Sequence, residues 1–204
     1  MKRVNKKLVS RIMAVCLMLV MMLSAGISVS AALTSESTAS ITISGIETDD
    51  SGQGIGTLSV YQVINVNVKN NQPEAPVYRW DTAVAGWVNQ NFSSYIDVDN
   101  SNAVTNTFLK LSDDRLKAFV DQLANAIRKA TITLSPDNTI PLSEKTPTGD
   151  DKEITVGLKL GAHLFLIEGG VRIYSPGFAA VYPDTDEDGD WRAVGHSIDV
   201  SMKS

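Results

Sequence analysis

The acidic residues near the C-terminus are where this sequence comes nearest to a chemical site. Asp184, Asp186 and Asp188 alternate and lead into Gly189, the D-x-D-x-D-G order that begins an oxygen-rich calcium loop, because alternating carboxylates around a tight glycine turn can converge on one hard cation. The position where such a loop needs a bidentate glutamate is Gly195. The motif is therefore incomplete and reads as an acidic, solvated turn, with calcium the one candidate cofactor. Asp97 and Asp99, in the run DVDNSN, form a weaker version. Nucleophilic catalysis would need a base beside a Ser, Thr or Cys. Beyond Cys16 there is no thiol, the histidines are His163 and His196, and no serine sits in a GxSxG elbow. His163 opens an apolar strand and reads as a packed histidine, while His196 lacks a second histidine or a cysteine at metal-ligand spacing. Gly52, Gly54 and Gly56 precede a strand and lack the Lys-Ser/Thr of a phosphate loop, so they read as a mobile turn. No catalytic set is visible, and the expectation is a protein that is not an enzyme.

The elements that must carry these residues begin after an address. Lys2, Arg3, Lys6, Lys7 and Arg11 are followed by the apolar run Ile12 to Leu23 and then by small residues to Ala32, the pattern of a cleaved secretory signal peptide. The run is too short to cross a bilayer. Those five cations are part of 18 Lys and Arg in all, so the chain beyond residue 32 carries 13 basic against 23 acidic side chains. Such a body offers no basic face to phosphates, and no nucleic-acid partner is expected. Cys16 leaves with the signal, so an exported domain without cysteine must draw its stability from a core or from another cross-link. Residues 33–39, rich in Ser and Thr, read as a flexible leader, and residues 40–204 as one domain.

Within that domain Leu58, Val60, Ile64, Val66 and Val68 alternate with polar residues, interrupted once at Gln62, which predicts a strand with one buried face. Ile154, Val156, Leu158 and Leu160 repeat the pattern and are closed by Gly161, predicting a hairpin into a central strand from His163 to Ile167. Shorter candidates are Ser40 to Gly45, Val77 to Trp80, Thr131 to Leu134, Gly177 to Tyr182 and Val194 to Met202. One helix is predicted after Ser112 as N-cap, with Asp113 and Asp114 in its first turn and Leu116, Phe119, Val120, Leu123 and Ile127 on one face. A second, weaker one spans Asp81 to Tyr95. Many short strands with helices inserted between them predict a mainly β protein, a β-sandwich with one or two inserted α-helices.

The segment YSPGFAAVYPDTDEDGDW, followed by SIDVSMKS, resembles the end of the N-terminal domain of Gram-positive sortase-assembled pilins. There a strand ends in proline, a polar turn leads to a tryptophan, and a last strand carries V-x-V-Y-P-K. Ile198 and Val200 match the two valines and Lys203 the lysine, while Ser201 and Met202 replace Tyr and Pro. ITISGIETDD, GTLSVYQVINVNV and LKLGAHLFLIEGG follow the family's order along residues 40–204. The resemblance implies an immunoglobulin-like sandwich and a structural fimbrial subunit of the cell wall or pilus of a Gram-positive bacterium. It implies a sortase and other pilin subunits as partners, possible adhesion to a host surface ligand, and Lys203 as the acceptor of an inter-subunit isopeptide bond. It also implies internal isopeptide bonds promoted by a buried acid, for which Lys159 and Glu168 are the nearest candidates. No LPxTG-type sorting signal is present, Thr146 to Gly149 lacking its leucine, so the chain reads as a first domain of a longer protein or as a secreted relative. The competing reading is a stand-alone extracellular binding module for carbohydrate or a host ligand, using Tyr78, Trp80, Trp87 or Tyr95 as stacking platforms.

Overall fold

A computed structural model describes residues 32–170, 173–195, 198–199 and 202–203, the last four by backbone pairing alone. The expected signal peptide, Cys16, His196 and Val200 lie outside the described residues. Strands β1 (Thr38–Ser44), β2 (Thr57–Lys69) and β3 (Gln72–Trp80) precede helix α1 (Thr82–Asn91). The short strands β4 (Ile96–Asp97) and β5 (Ala103–Val104), the single-turn helix α2 (Asn106–Leu109) and helix α3 (Asp113–Arg128) follow. The chain then makes β6 (Asn138–Pro141), β7 (Ile154–Lys159), β8 (Gly161–Glu168), β9 (Ile173–Tyr174), β10 (Gly177–Thr185), β11 (Trp191–Gly195), β12 (Ile198–Asp199) and β13 (Met202–Lys203).

The strands form a large antiparallel sheet in the order β11-β10-β8-β2-β3-β5-β4, with β6 also on β2, a small sheet β12-β1-β7, and a separate ribbon β13-β9. The first and last parts of the chain meet in the small sheet, where β12 pairs parallel to β1 with Ile43 opposite Ile198. One core gathers Ile41 and Ile43 of β1, Val156 and Leu158 of β7, and Leu58, Val60, Phe165 and Ile167 of the large sheet. The other gathers Leu164 and Leu166 with Trp80, Val84, Val88, Phe119 and Leu123, so the large sheet is covered by strands on one face and by helices on the other. Each fully buried Val, Leu or Ile contributes roughly 1.5–3 kcal/mol. Because β8 alternates its residues between two cores, it is buried from Gly161 through Ile167, and this is why its sequence is a continuous apolar run.

The mainly β expectation stands, with several changes. The helices form a layer, and a short third helix joins the two that the sequence predicts. Helix α3 keeps the predicted apolar face, although the Ser112 side chain makes no capping hydrogen bond. Helix α1 is capped instead by Asp81, whose side chain accepts from the Ala83 amide. Residues 154–167 are not a hairpin: β7 pairs with β1, and β8 with β2 and β10. The chain crosses between sheets at Leu160–Gly161, where Gly161 has φ +141° and a Cβ would collide with the Ile64 carbonyl oxygen. The interruption at Gln62 marks a bulge against β8, and Val63 and Ile64, neighbours in sequence, are both buried. Thr131 to Leu134 is not a strand, although Ile132 is buried beneath the end of α3. The segment Val194 to Met202 is split among β11, β12 and β13. Leu33, assigned to a flexible leader, is buried in the strand-side core. The glycines of the supposed mobile turn are held: Gly54 N–H donates to Lys145 O, and Gly56 packs against the Glu168 carbonyl.

Candidate functional site

Asp184, Asp186 and Asp188 lie where β10 turns into β11. Asp186 Oδ1 accepts from the amides of Asp188 (3.1 Å) and Asp190 (2.9 Å), and the Gly189 amide reaches Asp186 O at 3.1 Å. Asp184 Oδ1 accepts from the Thr185 amide. The Asp184 and Asp186 carboxylates are engaged in building the turn, as aspartates in Asx-turns are. Among the described residues no group of three or more His, Cys, Asp or Glu side chains converges as a metal site would require. Asp97 likewise takes the Asn100 amide in its own turn.

His163 is buried at 2% exposure in the middle layer. Its Nε2 meets the Lys159 carbonyl oxygen at 2.9 Å and its Nδ1 has no partner. Desolvation holds the imidazole below its ordinary value of 6.5, opposed by the Lys159 carbonyl and the charge of Asp137. A neutral ring donating from Nε2 fits this environment, as the packed reading requires.

The two residues singled out for an internal cross-link are not brought together. Lys159 ends β7 and Glu168 ends β8, so all of β8 separates them, some 23 Å at the rise of an extended strand. Lys159 Nζ pairs with Glu36 at 2.5 Å and Glu168 with Arg128 at 3.2 Å, with more than half of each side chain of Lys159, Glu36 and Glu168 exposed. The hydrogen bond to Glu36, then its charge, raises the Lys159 pKa and favours the ammonium. The amine of an internal cross-link promoted by a buried acid needs the opposite, a buried site that strips its proton.

The aromatic platforms are also accounted for. Trp80 is 2% exposed, its indole N–H donates to Tyr95 O at 2.9 Å, and its ring lies 4.8 Å from Phe108 and 5.5 Å from Phe119. Trp87 and Tyr95 pack on the same Phe119 at 6.0 and 5.8 Å, and Tyr78 packs against both cores. Edge-to-face contacts of this kind stabilise an interior; Trp80 is buried within it, while Tyr78, Trp87 and Tyr95 are half-buried against it.

Lys203 belongs to β13, which runs antiparallel to β9 with Met202 opposite Tyr174 and Lys203 opposite Ile173. The partner strand β9 is anchored to the body, because Tyr174 is 2% exposed and its hydroxyl accepts from the Glu47 amide at 2.7 Å. Ile173 is 72% exposed, the most solvent-open of the large apolar residues described. Sequence reasoning missed both positions of β9. The alternation of an isoleucine and a tyrosine before Ser175 and Pro176 was the available signal, but two residues are too few for periodicity to register.

No family model and no curated protein matches the chain. Among solved structures it is similar to the T6 backbone pilin of serotype M6 Streptococcus pyogenes, which has a modular three-domain structure decorated with variable loops and extensions. The superposition has a TM-score of 0.48 at 14% identity and covers 84% of this chain and 29% of that pilin, so this chain spans less than a third of the pilin's length.

Proposed function

We propose that the protein is a structural subunit of a Gram-positive cell-surface pilus or adhesin, exported and then joined covalently to a neighbouring subunit by a sortase through Lys203. In this reading its domain is an immunoglobulin-like sandwich to which a helical layer has been added. The observation that carries the proposal is the strand pairing of Lys203: the residue matching the pilin lysine lies in β13, opposite the exposed Ile173 of β9, the partner strand that Tyr174 ties to the body. The order of the motifs along the sequence supports the same reading.

The chemistry asked of the protein is that of a substrate. A sortase holds the carbonyl carbon of a donor subunit as a thioester on its cysteine. The neutral ε-amine of Lys203 adds to that carbon, the new C–N bond forms, the C–S bond breaks, and the thiolate leaves as the amine surrenders its proton. The product is an isopeptide bond, and the enzyme supplies the acid–base work. A lysine suits this role because its amine is compact and stands on a flexible stem.

The test is an acceptor assay. The protein is incubated with a pilus-polymerising sortase and a fluorescent peptide ending in an LPxTG-type sorting sequence. One fluorescent band of raised mass, resistant to boiling and absent for Lys203→Ala, is the expected result. Equal labelling of wild type and Lys203→Ala, or none of either, would remove the proposal.

A further inference from the structure

Strand β9 is two residues long, and successive residues of a strand face opposite ways. Tyr174 turns into the strand-side core at 2% exposure, with its hydroxyl fixed by the Glu47 amide at 2.7 Å. Alternation then sends Ile173 outward, where it stands 72% exposed. A one-residue slip that would bury Ile173 would also expel Tyr174 from the core. The apolar side chain is therefore held at the surface by the residue next to it.

Single apolar side chains are common on protein surfaces, so exposure alone assigns Ile173 nothing. Its register does. In the β13–β9 pair Ile173 stands opposite Lys203, and paired residues of an antiparallel ribbon have Cα atoms about 4.5–5.5 Å apart. The other exposed large apolar residues described are Val98, in the turn after β4, and Leu109, in α2, at 48% and 53%. Phe108 of α2 packs in the helix-side core, across the large sheet from Tyr174. Among the described residues, the most exposed large apolar side chain thus shares a rung with the proposed acceptor.

An enzyme acting on Lys203 must hold its nitrogen about 3–3.5 Å from the thioester carbon. A lysine gives little to grip, because its stem is flexible and its ammonium strongly hydrated, and β13 is only two residues long. An isoleucine one strand away offers what the lysine lacks. It is branched at Cβ and so loses little rotamer freedom on contact, and covering it removes apolar surface from water. Resting on the reading of Lys203 as acceptor, we propose that Ile173 is the contact by which the sortase docks on this subunit, entering an apolar recess of the enzyme and aligning the ribbon so that the Lys203 amine reaches the thioester. Ile173 is a positioning residue and touches no reacting atom.

The test measures initial rates of labelling by a pilus-polymerising sortase, at saturating fluorescent LPxTG-type donor peptide, against the concentration of the whole protein. Ile173→Thr, which keeps the branched Cβ, is expected to raise the acceptor KM about tenfold with kcat changed by less than about twofold. Ile173→Val, the same shape without the hydroxyl, is expected to stay near wild type, and Leu109→Ser to match it. A second readout uses Lys203→Ala, which cannot be joined to the donor but keeps Ile173. It is expected to inhibit labelling of wild type, and adding Ile173→Thr to weaken that inhibition about tenfold. Urea midpoints equal to wild type certify the folding of the variants. An unaltered KM for Ile173→Thr, an equal rise for Leu109→Ser, or a fall in kcat alone overturns the docking role while labelling at Lys203 persists. Absence of labelling at Lys203 in wild type removes the acceptor reading itself, and the docking role with it.

Discussion

His163 shows how far a single side chain can be read from its surroundings. Its position at the head of an apolar run predicts packing, and the fold buries it with one ring nitrogen bonded to the Lys159 carbonyl and the other unpartnered. Because burial lowers its folded pKa below 6.5, the unfolded chain binds more protons than the native state in the window beneath that value. Stability therefore falls as pH is lowered through 6.5 toward the folded pKa, and this part of the slope is at most about 1.4 kcal/mol per pH unit. Urea denaturation between pH 7 and pH 5 is predicted to show a shallower pH dependence for His163→Gln than for wild type, and an unchanged slope would contradict this account of the ring. Lys159 and Glu168 teach the opposite lesson. Sequence spacing places them near each other along the chain, but only the sheet topology reveals that β8 separates them and that Glu36 and Arg128 take them as partners.

At the scale of elements, Gly161 is where the topology depends most on one residue. It starts β8 at the crossing between sheets, with φ +141° and room for no Cβ beside Ile64 O and Gln62 Nε2. Gly161→Ala is predicted to destabilise the protein by roughly 2–4 kcal/mol, through steric conflict and a disfavoured backbone, measured as a lower urea midpoint with the same m-value. A loss under half a kcal/mol would mean that the crossing adapts freely. Strands β1, β2, β7, β8 and β10 and helices α1 and α3 were legible because each has an apolar period or, in β8, a continuous apolar run. What was not legible depended on partners. The alternation of Ile154 to Leu160 is the same whether β7 pairs with β8 or with β1, and the two-residue strands β9, β12 and β13 are too short to carry a period. Gln62 was a visible irregularity whose meaning, a bulge held by its side chain's hydrogen bond to Leu160 O at 2.8 Å, needed the neighbouring strands. The pattern of Lys203 was legible as a motif; the ribbon beneath it was not.

The whole domain couples two cores through one sheet, and Phe119 joins the helical layer to it. The ring is 1% exposed and lies 5.2 Å from both Phe92 and Phe108 and 5.5 Å from Trp80. Phe119→Ala is predicted to cost about 3–5 kcal/mol, and fluorescence and circular dichroism are predicted to report one shared transition, whereas separate transitions would show that the helices unfold independently. In the proposed reading this body is the base on which the β13–β9 ribbon stands. The most direct measurement of that reading is peptide mapping by mass spectrometry of the boiling-resistant product formed by a sortase and a sorting-signal donor. The account predicts a branched peptide in which the donor's carbonyl is bonded to Nζ of Lys203, and an intact lysine at Lys159. A branch at another lysine, with Lys203 recovered unmodified, would contradict it.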